Sequence, residues 1–187
     1  MNDKPKFQLA QARAVAESLC ALLAGDCLRI AIVGSIRRER PTVGDIELLI
    51  LPKSEMRPDG LFDSKPFDLS AQAIDWLLTI GIIVKRPSVT GAFTWGGLNR
   101  LAVHVESGIP VDFFTEPDER DWPRSLVVRT GGKEFNVELM SSSPRHGYKA
   151  HAYGEALHKL DGTRVFANSE REFIERCGVA YKEPKNR

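Results

Sequence analysis

Gly34-Ser35-Ile36-Arg37-Arg38, followed by Gly44-Asp45-Ile46-Glu47-Leu48-Leu49-Ile50-Leu51, is the stretch on which the fold turns. Asp45 and Glu47 stand at i and i+2 in a run predicted as a strand from Asp45 to Leu51, so both carboxylates project from one face. Two acids side by side repel unless a cation sits between them or one is protonated. Two hard oxygen donors aimed at one point suit a magnesium ion. Just upstream, the apolar run Leu28 to Val33 reads as a buried strand, and Gly34-Ser35 opens a tight strand-to-helix turn. Ser35 and the backbone N–H groups after Gly34 would cradle phosphate oxygens at that helix start. Arg38, with Arg37 and Arg40 beside it, would add charge-assisted hydrogen bonds to the same oxygens. Taken alone, the run Arg37-Arg38-Glu39-Arg40 reads as a solvated turn rather than a phosphate site.

Working outward, residues 8–24 place Leu9, Ala12, Val15, Ala16, Leu19, Cys20 and Leu23 at helical spacing, and Gly25-Asp26 ends that helix. Residues 52–68 are rich in Pro, Asp, Lys and Gly and read as an exposed excursion. A helix follows from Leu69 to Ile80. Ile82 to Lys85, Leu101 to Val105 and Val111 to Thr115 are further strands, the last two joined by a turn at Glu106-Ser107-Gly108-Ile109-Pro110. Residues 119–146 are mainly helical in pattern, broken at Thr130-Gly131-Gly132. The expected organisation is two lobes, 1–117 and 118–187.

At 187 residues the chain can build one core or two small lobes. Hydrophobic residues make up 42% and charged residues 27%, the composition of an ordinary globular protein. A formal net charge of +1 neither supports nor excludes nucleic acid, so any basic surface must come from local clustering. Cys20, Cys27 and Cys177 are odd in number and lack metal-site spacing, so they read as reduced, semi-buried thiols. No apolar run is long enough for a membrane span and the start carries no signal-peptide pattern, so an intracellular protein without a membrane partner is expected.

Asp112 supplies a third acid, set in the apolar segment Ile109-Pro110-Val111-Asp112-Phe113-Phe114. A buried ionised carboxylate is costly unless paired or metal-bound. Singly, Asp112 could equally face solvent on a half-exposed strand. Together, Asp45, Glu47 and Asp112 at the ends of neighbouring strands can converge on one spot. Two metal ions there, about 3.5–4 Å apart, would clamp an in-line displacement at phosphorus.

With these residues in hand the chain resembles the family X DNA polymerases, the group of DNA polymerase beta. The family's palm motif, a Gly-Ser, an Arg-Arg pair and then Gly-Asp-x-Asp before an apolar strand, is matched by the opening stretch. Thr130-Gly131-Gly132-Lys133-Glu134-Phe135-Asn136 resembles its Thr-Gly-Ser-x-x-x-Asn junction, and Gly147-Tyr148-Lys149-Ala150-His151-Ala152-Tyr153 its Gly-(Phe/Tyr)-x-x-Asn-Glu-Tyr segment. Ser169-Glu170-Arg171-Glu172-Phe173 and Tyr181 to Arg187 are similar to its closing Ser-Glu-x-(Asp/Glu)-(Ile/Phe) and Tyr-x-x-Pro-x-x-Arg.

The resemblance implies an α+β fold: a nucleotidyltransferase palm, with a mixed or antiparallel sheet flanked by helices, plus a small α+β C-terminal thumb-like lobe. It implies a monomeric enzyme, binding a deoxynucleoside triphosphate and gapped or primer-template DNA, with two Mg²⁺ ions that Mn²⁺ can replace. Asp45, Glu47 and Asp112 take the metal-binding and catalytic positions. Gly34, Ser35, Arg38 and Gly44 take positions that hold the triphosphate, and Gly131, Gly132 and Asn136 the junction that meets the incoming nucleotide. Lys4 or Lys6 is a further candidate for the phosphates. Arg129, Lys133, Arg145 and Lys149, with Lys159 and Arg164, are candidates for DNA phosphates. Trp95 could stack on a base or pack in the core. No lyase domain, and hence no Schiff-base chemistry, is expected.

Three departures from the family stand out. Glu47 replaces an aspartate; the extra methylene moves the carboxylate outward by about 1.5 Å, a displacement that can cost about two orders of magnitude in rate. Val128-Arg129 replaces an aromatic pair near the nucleotide sugar, and Met140 replaces an arginine beside the template base pair. Two other readings compete: a nucleotidyltransferase with a non-DNA acceptor (an RNA end, a protein or a small molecule), and a weakly active or non-catalytic DNA-end binder.

Overall fold

In the computed structural model, which describes residues 5–60, 62–151 and 157–187, the chain divides into two units. The first comprises residues 1–32 and 41–117; the second comprises 33–40 and 118–187. Lys4, Ala152 and Tyr153 lie outside the described residues.

A two-residue strand, β1 (Phe7–Gln8), leads into α1 (Leu9–Leu23), whose buried stripe is Ala12, Ala16, Leu19 and Leu23. That spacing places four apolar side chains on one helix face. β2 (Cys27–Ile32) follows, then the single turn α2 (Gly34–Arg37), which belongs to the second unit. β3 (Thr42–Val43) pairs with β1, and β4 (Ile46–Pro52) enters the main sheet. β5 (Ser54–Asp59) and β6 (Asp63–Asp68) form an antiparallel hairpin in place of the irregular excursion read from the sequence. Most of its side chains are exposed, and the guanidinium of half-buried Arg57 lies 3.5 Å from the centre of the Phe67 ring. α3 (Leu69–Thr79) starts where Asp68 accepts hydrogen bonds from the Ala71 N–H (3.0 Å) and the Ser70 hydroxyl (2.6 Å). β7 (Ile83–Lys85), β8 (Asn99–His104) and β9 (Pro110–Thr115) complete the unit.

The main sheet is five-stranded and mixed, in the order β2-β4-β9-β8-β7, with β4 and β9 parallel and every other pair antiparallel. Parallel neighbours need a long crossover, and here it runs through the hairpin, α3 and two further strands. Ile46, Leu48 and Ile50 of β4, Val111 and Phe113 of β9 and Ala102 of β8 are fully buried. By the alternation of strand side chains they occupy the face opposite Glu47 and Asp112.

The second unit holds α4 (Trp122–Thr130), α5 (Lys133–Ser142), a small antiparallel sheet of β10 (Tyr148–Lys149), β11 (Leu157–Lys159) and β12 (Arg164–Val165), and α6 (Glu170–Arg176). Its core includes Val127, Phe135, Leu139, Leu157, Phe173, Ile174 and Cys177. Ser169 caps α6 by accepting from the Glu172 N–H at 3.1 Å, while the Glu172 carboxylate accepts from the Asn168 N–H at 2.7 Å. Among the described residues no helix is long and apolar enough to cross a membrane.

Candidate active site

The parallel pairing of β4 with β9 decides where the acids stand. Its register sets Glu47 level with Asp112, and residues so paired project from the same face. Asp45 lies one residue before β4 and two before Glu47. All three acids are half-buried. A group unforeseen from the sequence joins them: Arg86, just beyond β7, donates from Nη2 to Asp112 Oδ1. Their side chains are 23% and 15% exposed, so the pair is partly shielded from water. Among the described residues no three of His, Cys, Asp and Glu are gathered closely enough to hold a metal ion. The structure therefore brings Glu47 and Asp112 together by register, while a guanidinium supplies the positive charge at Asp112. The donors are hard carboxylate oxygens and fit magnesium chemically; such an ion would compete with Arg86 for Asp112.

Gly34, Ser35, Arg37, Arg38 and Arg40 belong to the second unit, and Gly44 to the first. Gly34 takes φ +62°, a conformation that side chains rarely adopt, and is buried; the Ser35 hydroxyl is buried with no hydrogen-bond partner. α2 is one turn long, so phosphate binding there would rest on side chains rather than on a helix dipole. Arg38 Nη1 donates to the Thr130 carbonyl. Arg37 is spent elsewhere: Nη1 donates to Thr130 Oγ1 (2.6 Å) and Glu170 Oε2 (3.1 Å), and Nη2 to Glu170 Oε1 (2.5 Å). Glu170 Oε2 also accepts from Arg187 Nη1 at 3.0 Å, and Arg187 is fully buried in its side chain. Arg40 donates to the Arg187 main-chain oxygen at 2.6 Å. Four sequence blocks separated by up to 150 positions thus close into one hydrogen-bonded cluster of Arg37, Thr130, Glu170 and Arg187.

Gly131 ends α4 at φ +62°, a conformation that favours glycine, and a Cβ there would come within 3.3 Å of Arg38 Nη1, which would have to shift slightly. The Gly131–Gly132 peptide is cis. Asn136 Nδ2 donates to the Val128 carbonyl at 2.8 Å, and its Oδ1 is buried without a partner. Gly44 lies at the bend before Asp45 with open space around its Cα.

Of the candidate DNA contacts, Lys133, Arg145 and Lys149 are exposed and Arg129 is half-buried. Lys6 is exposed. Arg164 pairs with Asp118 and Asp121. Trp95 is neither a bare stacking platform nor a core residue: its indole N–H donates to Asp75 (2.8 Å) and Lys85 Nζ lies 4.8 Å from the ring centre. Val128 is buried in the second core and Met140 packs against it. The three thiols are free, and desolvation by burial pushes Cys20 up to about 11 and Cys27 and Cys177 to about 12, so they are unreactive near neutral pH.

A five-stranded mixed sheet with flanking helices, carrying Glu47 and Asp112 side by side on parallel neighbours, has the polymerase beta-like fold. Two solved structures of polymerase beta from Leishmania infantum are similar to it. One is a ternary P/T complex, with a TM-score of 0.73 and 20% identity over 98% of this chain and 77% of that one. The other is a ternary gap complex, with a TM-score of 0.73 and 19% identity over 98% of this chain and 71% of that one. No protein-family profile and no curated protein sequence matches the chain.

Proposed function

We propose that the chain is a family X DNA polymerase that adds a deoxynucleotide to a primer 3′ hydroxyl at gaps or breaks in DNA. The observation that carries this reading is the parallel register of Glu47 and Asp112 within a polymerase beta-like fold. Asp45, Glu47 and Asp112, drawn closer together than they stand in this structure, would hold Mg²⁺, or Mn²⁺ in its place. Such ions supply charge neutralisation to a triphosphate and lower the pKa of an attacking hydroxyl.

The other roles fall to the second unit. The unpartnered Ser35 hydroxyl and the Arg38 guanidinium would donate to phosphate oxygens, and the unpartnered Asn136 Oδ1 is an acceptor suited to an N–H of the incoming nucleotide. Arg37 and Arg40 are left out of the triphosphate assignment because Glu170, Thr130 and Arg187 already occupy them. Arg129, Lys133, Arg145 and Lys149 would meet DNA phosphates, giving affinity that falls steeply with salt.

The test is primer extension on gapped, recessed and single-stranded substrates, each with deoxy- and ribonucleotides. Metal-dependent extension on gapped DNA is expected; extension on none of them overturns the reading. The Arg86–Asp112 pair favours one alternative, a DNA-end binder that leaves its acids neutralised. Titration of Mg²⁺ with and without a deoxynucleotide separates the two, because only an enzyme binds metal and nucleotide cooperatively.

A further inference from the structure

The second unit carries a concavity of about 300 Å³ lined by Lys149, His151, His158, Lys159, Leu160 and Gly162. Its charge follows from the small sheet. The register sets Lys149 opposite His158 and His158 opposite Arg164, so three basic side chains lie in one row across three strands. His151 follows two residues after Lys149, and its ring meets that of His158 edge-on, with centroids 5.9 Å apart at 87°. Basic groups placed directly opposite one another destabilise a strand pair unless an anion compensates them.

At the Arg164 end of the row the compensation is built in. Its Nη2 donates to Asp118 Oδ2 at 3.0 Å and to Asp121 Oδ2 at 2.6 Å. At the other end, Lys149 and His158 form no ion pair among the described residues. Asp161, in the turn between β11 and β12, has its carboxyl lowered first by the Thr163 side chain and backbone and only then by Lys159. The open end of the row therefore sets the Lys149 ammonium and two imidazoles around a concavity that Lys159, Leu160 and Gly162 also line.

We propose that this pocket binds a phosphate group of a polynucleotide. Several N–H donors converging from different directions match the oxygens of a phosphate, and a concavity of this size also admits the neighbouring sugar. The proposal rests on the DNA reading above only for the source of the phosphate, which is an internal diester or a terminal monoester.

The chain has four histidines, so the ring Cε1–H signals of His104, His146, His151 and His158 can be followed one by one in a proton NMR titration of the full chain. The probes are inorganic phosphate, a 5′-phosphorylated single-stranded oligonucleotide and the same oligonucleotide with a 5′ hydroxyl. Shifts confined to His151 and His158 are expected. If both oligonucleotides cause them, the pocket takes internal phosphates; if only the phosphorylated one does, it takes the terminal group. In a Lys149→Met, His158→Gln double variant, loss of charge-assisted hydrogen bonds should weaken phosphate and oligonucleotide binding about tenfold or more. Unmoved His104 and His146 signals would establish that this variant is folded. No selective shift at His151 or His158 with any probe overturns the pocket, even if primer extension succeeds. Selective shifts with inorganic phosphate in a chain that extends no primer would uphold the pocket and remove the polymerase reading.

Discussion

Glu170 and Asp112 are both carboxylates held by arginine, yet the two pairings are built differently. Glu170 is gripped at two points by Arg37 and at a third by Arg187, with Arg37 also fixed to Thr130. The cluster ties α2, α4, α6 and the final residue of the second unit together. Asp112 has a guanidinium on one oxygen and stands level with a second carboxylate, Glu47. A multidentate grip fixes geometry. A cation beside paired acids is exchangeable in kind, because any other cation that neutralises the same oxygens can replace it. The arginines of this chain thus separate into structural ties and a counter-ion, a distinction that residue type alone does not draw.

The comparison breaks most visibly at Asp45 and Asp112. Asp45→Ala and Asp112→Ala should each reduce metal-dependent primer extension to background with the second unit intact. Single-turnover rates check this, and an unchanged rate in either variant removes that acid from the site. At the structural cluster, Glu170→Ala leaves Arg37 and Arg187 without their carboxylate and should destabilise the second unit by about 3 kcal/mol. Chemical denaturation followed at that unit's tryptophan, Trp122, is the measurement; stability within a few tenths of a kcal/mol of the parent would dissolve the contrast with Asp112.

Glu47→Asp is the sharper probe of register. Because Glu47 sits level with Asp112, withdrawing its carboxylate should slow extension by up to about a hundredfold. A faster enzyme would mean that the longer side chain is a compromise. Arg86→Gln should act in the opposite sense on the metal. With the competing guanidinium gone, the Mg²⁺ concentration giving half-maximal rate should fall about fivefold, as for loss of one partly exposed charge pair. An unchanged metal requirement would show that Arg86 does not compete.

The smallest effect concerns Asp118. Its hydrogen bonds from Arg120, reinforced by Arg164, hold its carboxyl at about 2 against an ordinary 3.8. A depressed folded-state value means a stabilising contribution that is complete above pH 3.8 and lost as the pH falls toward 2. Asp118→Asn should therefore flatten the stability profile in that window, by no more than about 1 kcal/mol for so exposed a pair. Urea midpoints measured from pH 5 downward test it.

The legible parts of this molecule are those with a local signal. α1 shows its Ala12, Ala16, Leu19 and Leu23 stripe, and the strands of the main sheet appear as apolar runs displaced by one or two residues at most. Glu47 and Asp112 could be singled out as carboxylates in apolar settings, although their level alignment needed the strand pairing. The β5–β6 hairpin was not legible, because its side chains face solvent on both sides and carry no apolar alternation. Arg86 gave no signal either: its partner lies 26 positions away and nothing in Lys85-Arg86-Pro87 marks it. Matching motifs flagged Arg37, Thr130, Glu170 and Arg187 individually, but that they meet one another is tertiary information. One expectation changed with it, since Arg37 reads as a phosphate ligand in sequence and is occupied in the fold.

The parallel alignment of β4 with β9 also bears on how this protein comes into being. The two strands are joined by a crossover of more than fifty residues, so their pairing is a non-local event that must await the hairpin, α3, β7 and β8. During synthesis Glu47 has Asp45 near it from the start, but gains Asp112 only once Thr115 has emerged and β9 has docked. A slip of one residue in that docking would turn Asp112 to the opposite face. Maturation of the acidic face is thus tied to completion of the sheet, and nascent or partly folded chains carry Asp112 apart from Asp45 and Glu47.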